Sequence, residues 1–161
     1  MMRFPYTPGR LRRPSATTPG AIYRYAPFIN IGVTGPNGTM AHRMRVDTGA
    51  DDTVFPASFA VQLGIDLANA PMTESESVSG GIVRYPCMRV TLLVSDGIEY
   101  SIWDAVVGFI PMNRQYGLAG LAGFLNSFDA AFLGEACEFT LDPNVSFPGQ
   151  HMVNPRGSDN G

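Results

Sequence analysis

Three carboxylates crowd into the stretch MRVDTGADDTVFP, residues 44–56: Asp47, Asp51 and Asp52. An apolar run ends at Val46 and delivers Asp47 into a turn made by Thr48 and Gly49. Glycine permits backbone geometry and close approach that other residues forbid. An isolated Asp in such a place is also an ordinary turn or cap residue. Two such loops meeting about a two-fold axis would do chemistry instead. Like charges at short range do not both ionise readily, so the pair shares one proton. The ionised member takes a proton from water, and the protonated member polarises a carbonyl, which is general acid–base hydrolysis of an amide. Asp-Thr-Gly occurs once in the chain, so the second carboxylate has to come from a second copy.

Other chemistries find less support. His42 and His151 lie far apart, with no Cys or acid at ligand spacing, so no metal is expected. Ser58, Ser79 and the cysteines Cys87 and Cys137 lack a supporting His motif for nucleophilic catalysis. The two thiols are expected to be free, in a cytoplasmic protein.

The elements that must position the acids read as short strands with closely spaced turn signals, hence an all-β fold. APFINIGV and MAHRMRV are strands joined by the turn TGPNGT, the second running into Asp47. PASFAVQLGI predicts a short helix, with Pro56 suited to its first position and Gly64 to its C-cap. MTESESVSGGIVRYP is a hairpin around Gly80 and Gly81. CMRVTLLV and EYSIWDAVVGFI are strands joined at SDG. YGLAGLAGFLNSF is a glycine-punctuated turn leading into a short helix, and DAAFLG with CEFTLD forms a last hairpin. Trp103 and the phenylalanines of the second half are expected in the core.

The length, 161 residues, suits one domain with a real core. No apolar run approaches the ~20 residues of a membrane span, and the Arg- and Pro-rich beginning has no apolar centre of a secretion signal. A net charge of -3 conceals an asymmetry: residues 1–45 hold seven Arg and no acid, while the remainder holds four Arg and all fourteen acids. A basic arm of this kind can signal a nucleic-acid contact or an anionic surface. Its Arg residues are nonetheless scattered among Pro, Gly and Thr. Residues 1–20 are therefore read as a flexible, solvated arm, 21–148 as the folded domain and 149–161 as a flexible tail, with no nucleic-acid partner.

VDTGADDTVFP resembles the active-site loop of the retroviral-type aspartic proteases, the retropepsin family. SVSGGIVRYP resembles that family's glycine-rich flap, and YGLAGLAGFLNSFDAAF its second hallmark in bacterial members. The three occur in the family's order over about residues 28–141. The resemblance implies a small closed or partly closed β-barrel with one or two short helices, acting as a homodimeric aspartic endopeptidase on extended peptides and needing no cofactor. Asp47 matches the catalytic aspartate, and Thr48 the residue whose hydroxyl locks the partner loop. Gly49 matches the glycine lying against substrate. Ala50, Asp51 and Asp52 match cleft positions, Ser79, Gly80 and Gly81 the flap tip, and Gly120 the glycine under the loop. One position departs: Leu121 stands where the family usually has an Arg that pairs with the acid matching Asp51. Asp51 is left to pair with Arg43, Arg45 or Arg114, or to face solvent. The alternative to an enzyme is a catalytically silent module of the same fold, used for protein binding or dimerisation. Ala50 has no hydroxyl to stabilise an ionised pair, so a mildly acidic optimum is expected rather than a strongly acidic one.

Overall fold

A computed structural model of the chain describes residues 1–76, 80–112 and 115–154. The strands are β1 (Met2–Pro5), β2 (Thr7–Arg10), β3 (Tyr23–Ala26), β4 (Phe28–Gly35), β5 (Gly38–Val46), β6 (Val54–Pro56), β7 (Met72–Glu76), β8 (Ile82–Ser95), β9 (Glu99–Ile110), β10 (Gly117–Ala119), β11 (Phe128–Leu133), β12 (Glu138–Pro143) and β13 (Gln150–Val153). Among the described residues a single α-helix, α1 (Ala57–Leu63), follows β6, and one 3-10 turn covers Leu125–Ser127.

Six strands close a ring in the order β9-β6-β10-β5-β4-β8 and back to β9, with β13 added beside β9 and β7 beside β8. The ring is an all-β barrel. Residues alternate along its strands as the pleat requires. Ile29, Ile31 and Val33 of β4 point inward, as do Val90, Leu92 and Val94 of β8. Trp103, Ala105, Val107 and Phe109 continue the same face along β9, and the core is continuous across the ring. Helix α1 presents Phe59, Ala60 and Leu63 to that core. It stops at Gly64, whose φ of 71° is the left-handed conformation that glycine adopts without strain. Pro56 sits one residue before the helix, as its N-cap. The Asn37 backbone N–H donates to the Leu63 carbonyl and its side-chain amide to the Gln62 carbonyl, which ties the helix end to the β4–β5 turn.

The ends of the described chain differ from the loose segments expected there. Met2 and Phe4 are buried because β1 pairs antiparallel with β12, Phe4 opposite Phe139, in a three-stranded sheet β1-β12-β11. Alternation over four residues, with a proline at its end, is too short a signal to outweigh the surrounding Pro, Gly and Arg. Residues 7–26 add a separate two-stranded ribbon, β2 with β3. At the other end, Gln150–Val153 pairs with β9. The glycine-punctuated stretch before the last hairpin leads into a short helix, of the 3-10 kind, at Leu125–Ser127. Both cysteines are free thiols. Among the described residues no helix is long and apolar enough to cross a membrane.

Candidate active site

The loop bearing Asp47 leaves the barrel at the end of β5, where two strand types meet. Strand β10 runs parallel to β5, Ala119 opposite Val46, and β6 pairs antiparallel with β10 at Val54–Leu118. The loop between β5 and β6 is therefore held against the chain that continues from β10. The Asp47 N–H donates to the Ala119 carbonyl (3.0 Å), and the Leu121 and Ala122 N–H groups donate to the carbonyls of Ala50 (2.9 Å) and Asp51 (2.8 Å). The Thr53 N–H donates to the Ala122 carbonyl (2.9 Å). Thr53 is fully buried, and its hydroxyl accepts from the Gly120 N–H at 3.2 Å. Backbone pairing on this scale leaves the loop little freedom, since each buried donor or acceptor abandoned costs about 1–3 kcal/mol.

Gly120 occupies the tightest point. A Cβ there would lie 2.4 Å from the Asp52 carbonyl oxygen and 2.6 Å from that of Ala50. Both atoms are backbone and cannot swing aside. Leu121, beside it, is partly exposed.

The Asp47 side chain is half-buried, and its Oδ1 accepts the Gly49 N–H at 2.9 Å. Thr48 and Gly49 are exposed at the loop tip. Asp47 and Thr48 open on a cavity of about 330 Å3, also lined by Arg45, Val46, Tyr6 and Phe132. The two remaining acids separate. Asp51 is exposed, and among the described residues no Arg or His pairs with its carboxylate; Arg114, one of its three candidate partners, lies outside the described residues.

Asp52 turns away from the cavity. Its Oδ2 accepts the Tyr85 hydroxyl at 2.6 Å. Tyr85 is buried in β8, where it pairs with Thr73 of β7. Burial, reinforced by the Asp52 carboxylate, pushes the phenol well above its ordinary value, so it stays a donor. The Cys87 thiol is raised by burial first and by the Asp52 charge second. Tyr85 is a residue the sequence reading did not single out. It stands 33 positions from Asp52, and nothing local in YPC marks it.

The flap candidates lie where β7 and β8 meet. Glu76 pairs with Ile82, and Gly80 (φ 80°) and Gly81 are exposed in the connection; Ser79 lies outside the described residues. Neither glycine lines the cavity beside Asp47. The two histidines have other surroundings. His42 lies against Phe59 and Phe55, at 4.7 and 6.1 Å between ring centres, and burial lowers its pKa. His151 bonds Ser101 through Nδ1 and Glu99 through Nε2.

The model of a family described as aspartyl protease matches residues 32–121, from β4 through the Gly120 segment. No curated protein matches the chain significantly.

Proposed function

From the premise that the chain belongs to the retropepsin-like aspartyl protease family, we propose that it is a peptide-bond hydrolase working as a homodimer about the Asp47 loop. Family membership supports aspartic-protease function in general. The dimer and the residue roles are our reading. The observation that carries it is the placement of Asp47. A loop sealed by backbone bonds aims one half-buried carboxylate, held by the Gly49 N–H, at an open cavity. One carboxylate per chain is half of the required pair, so the two Asp47 side chains share a site on a two-fold axis.

In that site the ionised Asp47 removes a proton from a water molecule, and its protonated twin donates a hydrogen bond to the scissile carbonyl oxygen. The water oxygen bonds to the carbonyl carbon. Collapse then breaks the carbon–nitrogen bond as the departing amine takes up a proton. Thr48, exposed at the loop tip, bonds across to the partner loop, and Gly49 admits the substrate backbone. Ala50 and Asp51 line the cleft, with Asp52 holding its floor through Tyr85. Gly80 and Gly81, with Ser79, form the flap tip that closes over an extended peptide and excludes water. Backbone pairing supplies affinity and side-chain pockets supply specificity. No cofactor enters this scheme. A cytoplasmic setting fits the two free thiols.

Leu121, and an Asp51 with no cationic partner among the described residues, favour one second reading, a silent module that binds peptides or its own copy without cutting. Digestion of a peptide library by wild-type and Asp47→Asn protein across pH, with light scattering on the same samples, decides. Cleavage lost in the variant, together with a dimer mass, is the expected result. Cleavage unchanged in the variant refutes the protease reading, and an active strict monomer refutes the shared site.

A further inference from the structure

The ribbon β2–β3 is built from the basic part of the chain and stands at the rim of the cavity. Tyr6 immediately precedes β2, Pro27 immediately follows β3, and both residues line the cavity with Asp47 and Arg45. Among the described residues its two strands pair only with each other, Tyr23 opposite Arg10 and Tyr25 opposite Pro8. Alternation puts Tyr23, Tyr25 and Arg10 on one face. Both tyrosines are about half exposed. Arg12 and Arg13 extend from β2 in the connecting segment, also exposed. Arg24, on the opposite face, donates to the Ser15 hydroxyl (3.0 Å) and so braces that segment.

Charge is the unusual feature. Among the described residues neither Arg10, Arg12, Arg13 nor Arg45 has a carboxylate partner, and no acid occurs in residues 1–45. A solvated leader would scatter such groups. Here Arg10 lies on a ribbon rooted beside Asp47, Arg12 and Arg13 follow in its connecting segment, and Arg45 stands at the cavity on β5, with exposed tyrosines and open strand edges on the ribbon itself. Such an edge accepts an extended chain by main-chain pairing. Unpaired guanidiniums prefer carboxylates presented by that chain.

We infer that the β2–β3 ribbon is an exosite for an acidic, extended segment of the substrate polypeptide flanking the bond to be cut. The inference rests on the protease reading for the word substrate, and it deepens that reading by naming the substrate's chemistry. Arg45 continues the basic path from ribbon to cavity, and the tyrosines pack along the bound segment. Opposite charge on the approaching segment raises its encounter rate and affinity together, by about tenfold for a small cluster at low salt.

Two fluorescent peptides of one sequence, differing only in a flank of glutamates or glutamines, test this. Each is titrated by anisotropy against Asp47→Asn protein and used as a cleavage substrate for the wild type. The glutamate peptide is expected to bind about tenfold more tightly at low salt, with the gap closing as salt shortens the reach of the charges. The variant Arg10→Gln/Arg12→Gln/Arg13→Gln should bring the two peptides together in affinity and in kcat/KM while its circular dichroism is unchanged. Equal binding of the two peptides to the unaltered ribbon overturns the exosite, as does a preference that survives the triple variant. A single-stranded oligonucleotide that displaces the glutamate peptide and binds more tightly overturns it in favour of nucleic acid. Loss of dimer mass in the triple variant overturns it in favour of a second copy. Ribbon-dependent binding without cleavage upholds the peptide surface and fails the protease reading. Cleavage without flank preference does the reverse.

Discussion

The Asp47 loop and the stem of the β7–β8 hairpin, the proposed flap, are held in opposite ways. Around the loop, residues 47–53 and 119–122 exchange backbone hydrogen bonds, Thr53 is fully buried, and Gly120 leaves no room for one more carbon. Along the stem, Met72, Ile82 and Val83 are exposed, and the pairing of Glu74 with Arg84 lies in solvent. A carboxylate that must meet a partner within a hydrogen-bond length tolerates little positional error. A hairpin that must admit and release a peptide needs a low cost of opening, which few buried contacts provide. Tyr85 joins the two regimes, because its ring is buried at the stem's base and its hydroxyl serves Asp52 of the loop.

Substitutions ranked by size sharpen this contrast. Asp47→Asn should lower kcat/KM by about 10^3-fold or more while leaving the urea midpoint near wild type, since the amide oxygen still accepts the Gly49 N–H. Gly120→Ala should cost about 3 kcal/mol in urea unfolding, because its Cβ meets two backbone carbonyls. A loss below that of an ordinary surface change would show the loop to be softer than its hydrogen bonds indicate. Tyr85→Phe removes a donor from a part-buried carboxylate, and about 2 kcal/mol of stability should go with it. Arg84→Ala, on the exposed side of the stem, should cost less than about 0.5 kcal/mol. If the last two losses prove equal, the division between regions is wrong.

Acid probes the same boundary. His42 has its pKa lowered by burial against the aromatic rings beside the loop. The unfolded chain then binds a proton at higher pH than the folded one. Stability is therefore full above the ordinary histidine value of 6.5 and declines as pH falls below it. Thermal melts of wild type and His42→Phe across that range should show the slope reduced in the variant. Activity is expected to peak in the mildly acidic range, given Ala50, and a maximum below about pH 3, near the lower pepsin value, would contradict this.

Local chemistry made much of this legible. The β4–β5 and β8–β9 hairpins announce themselves by glycine-rich turns between alternating strands, and Gly64 marks the helix end from its place after AVQL. Asp47 stands out because an alternating strand ends at Val46 and a Thr-Gly turn follows it. What stayed hidden depends on residues distant in the chain. The burial of Met2 comes from Leu141, its register partner in β12. The inward turn of Asp52 comes from Tyr85, and the close fit of Gly120 from two carbonyls about seventy residues earlier. No window of sequence contains both halves of these contacts. The basic composition of the first residues was plain, but its arrangement on a paired ribbon was not, because prolines and glycines there masked short strands.

Trp103 is the chain's single tryptophan, packed against Phe124 and Phe128, with its indole N–H donating to the Gly123 carbonyl at 3.1 Å. That carbonyl lies three positions after Gly120, which presses on the loop carrying Asp47. The protein thus contains its own optical gauge. Emission from one indole reports on the strip of backbone beneath the carboxylate, with no label to attach and no second fluorophore of its kind to subtract.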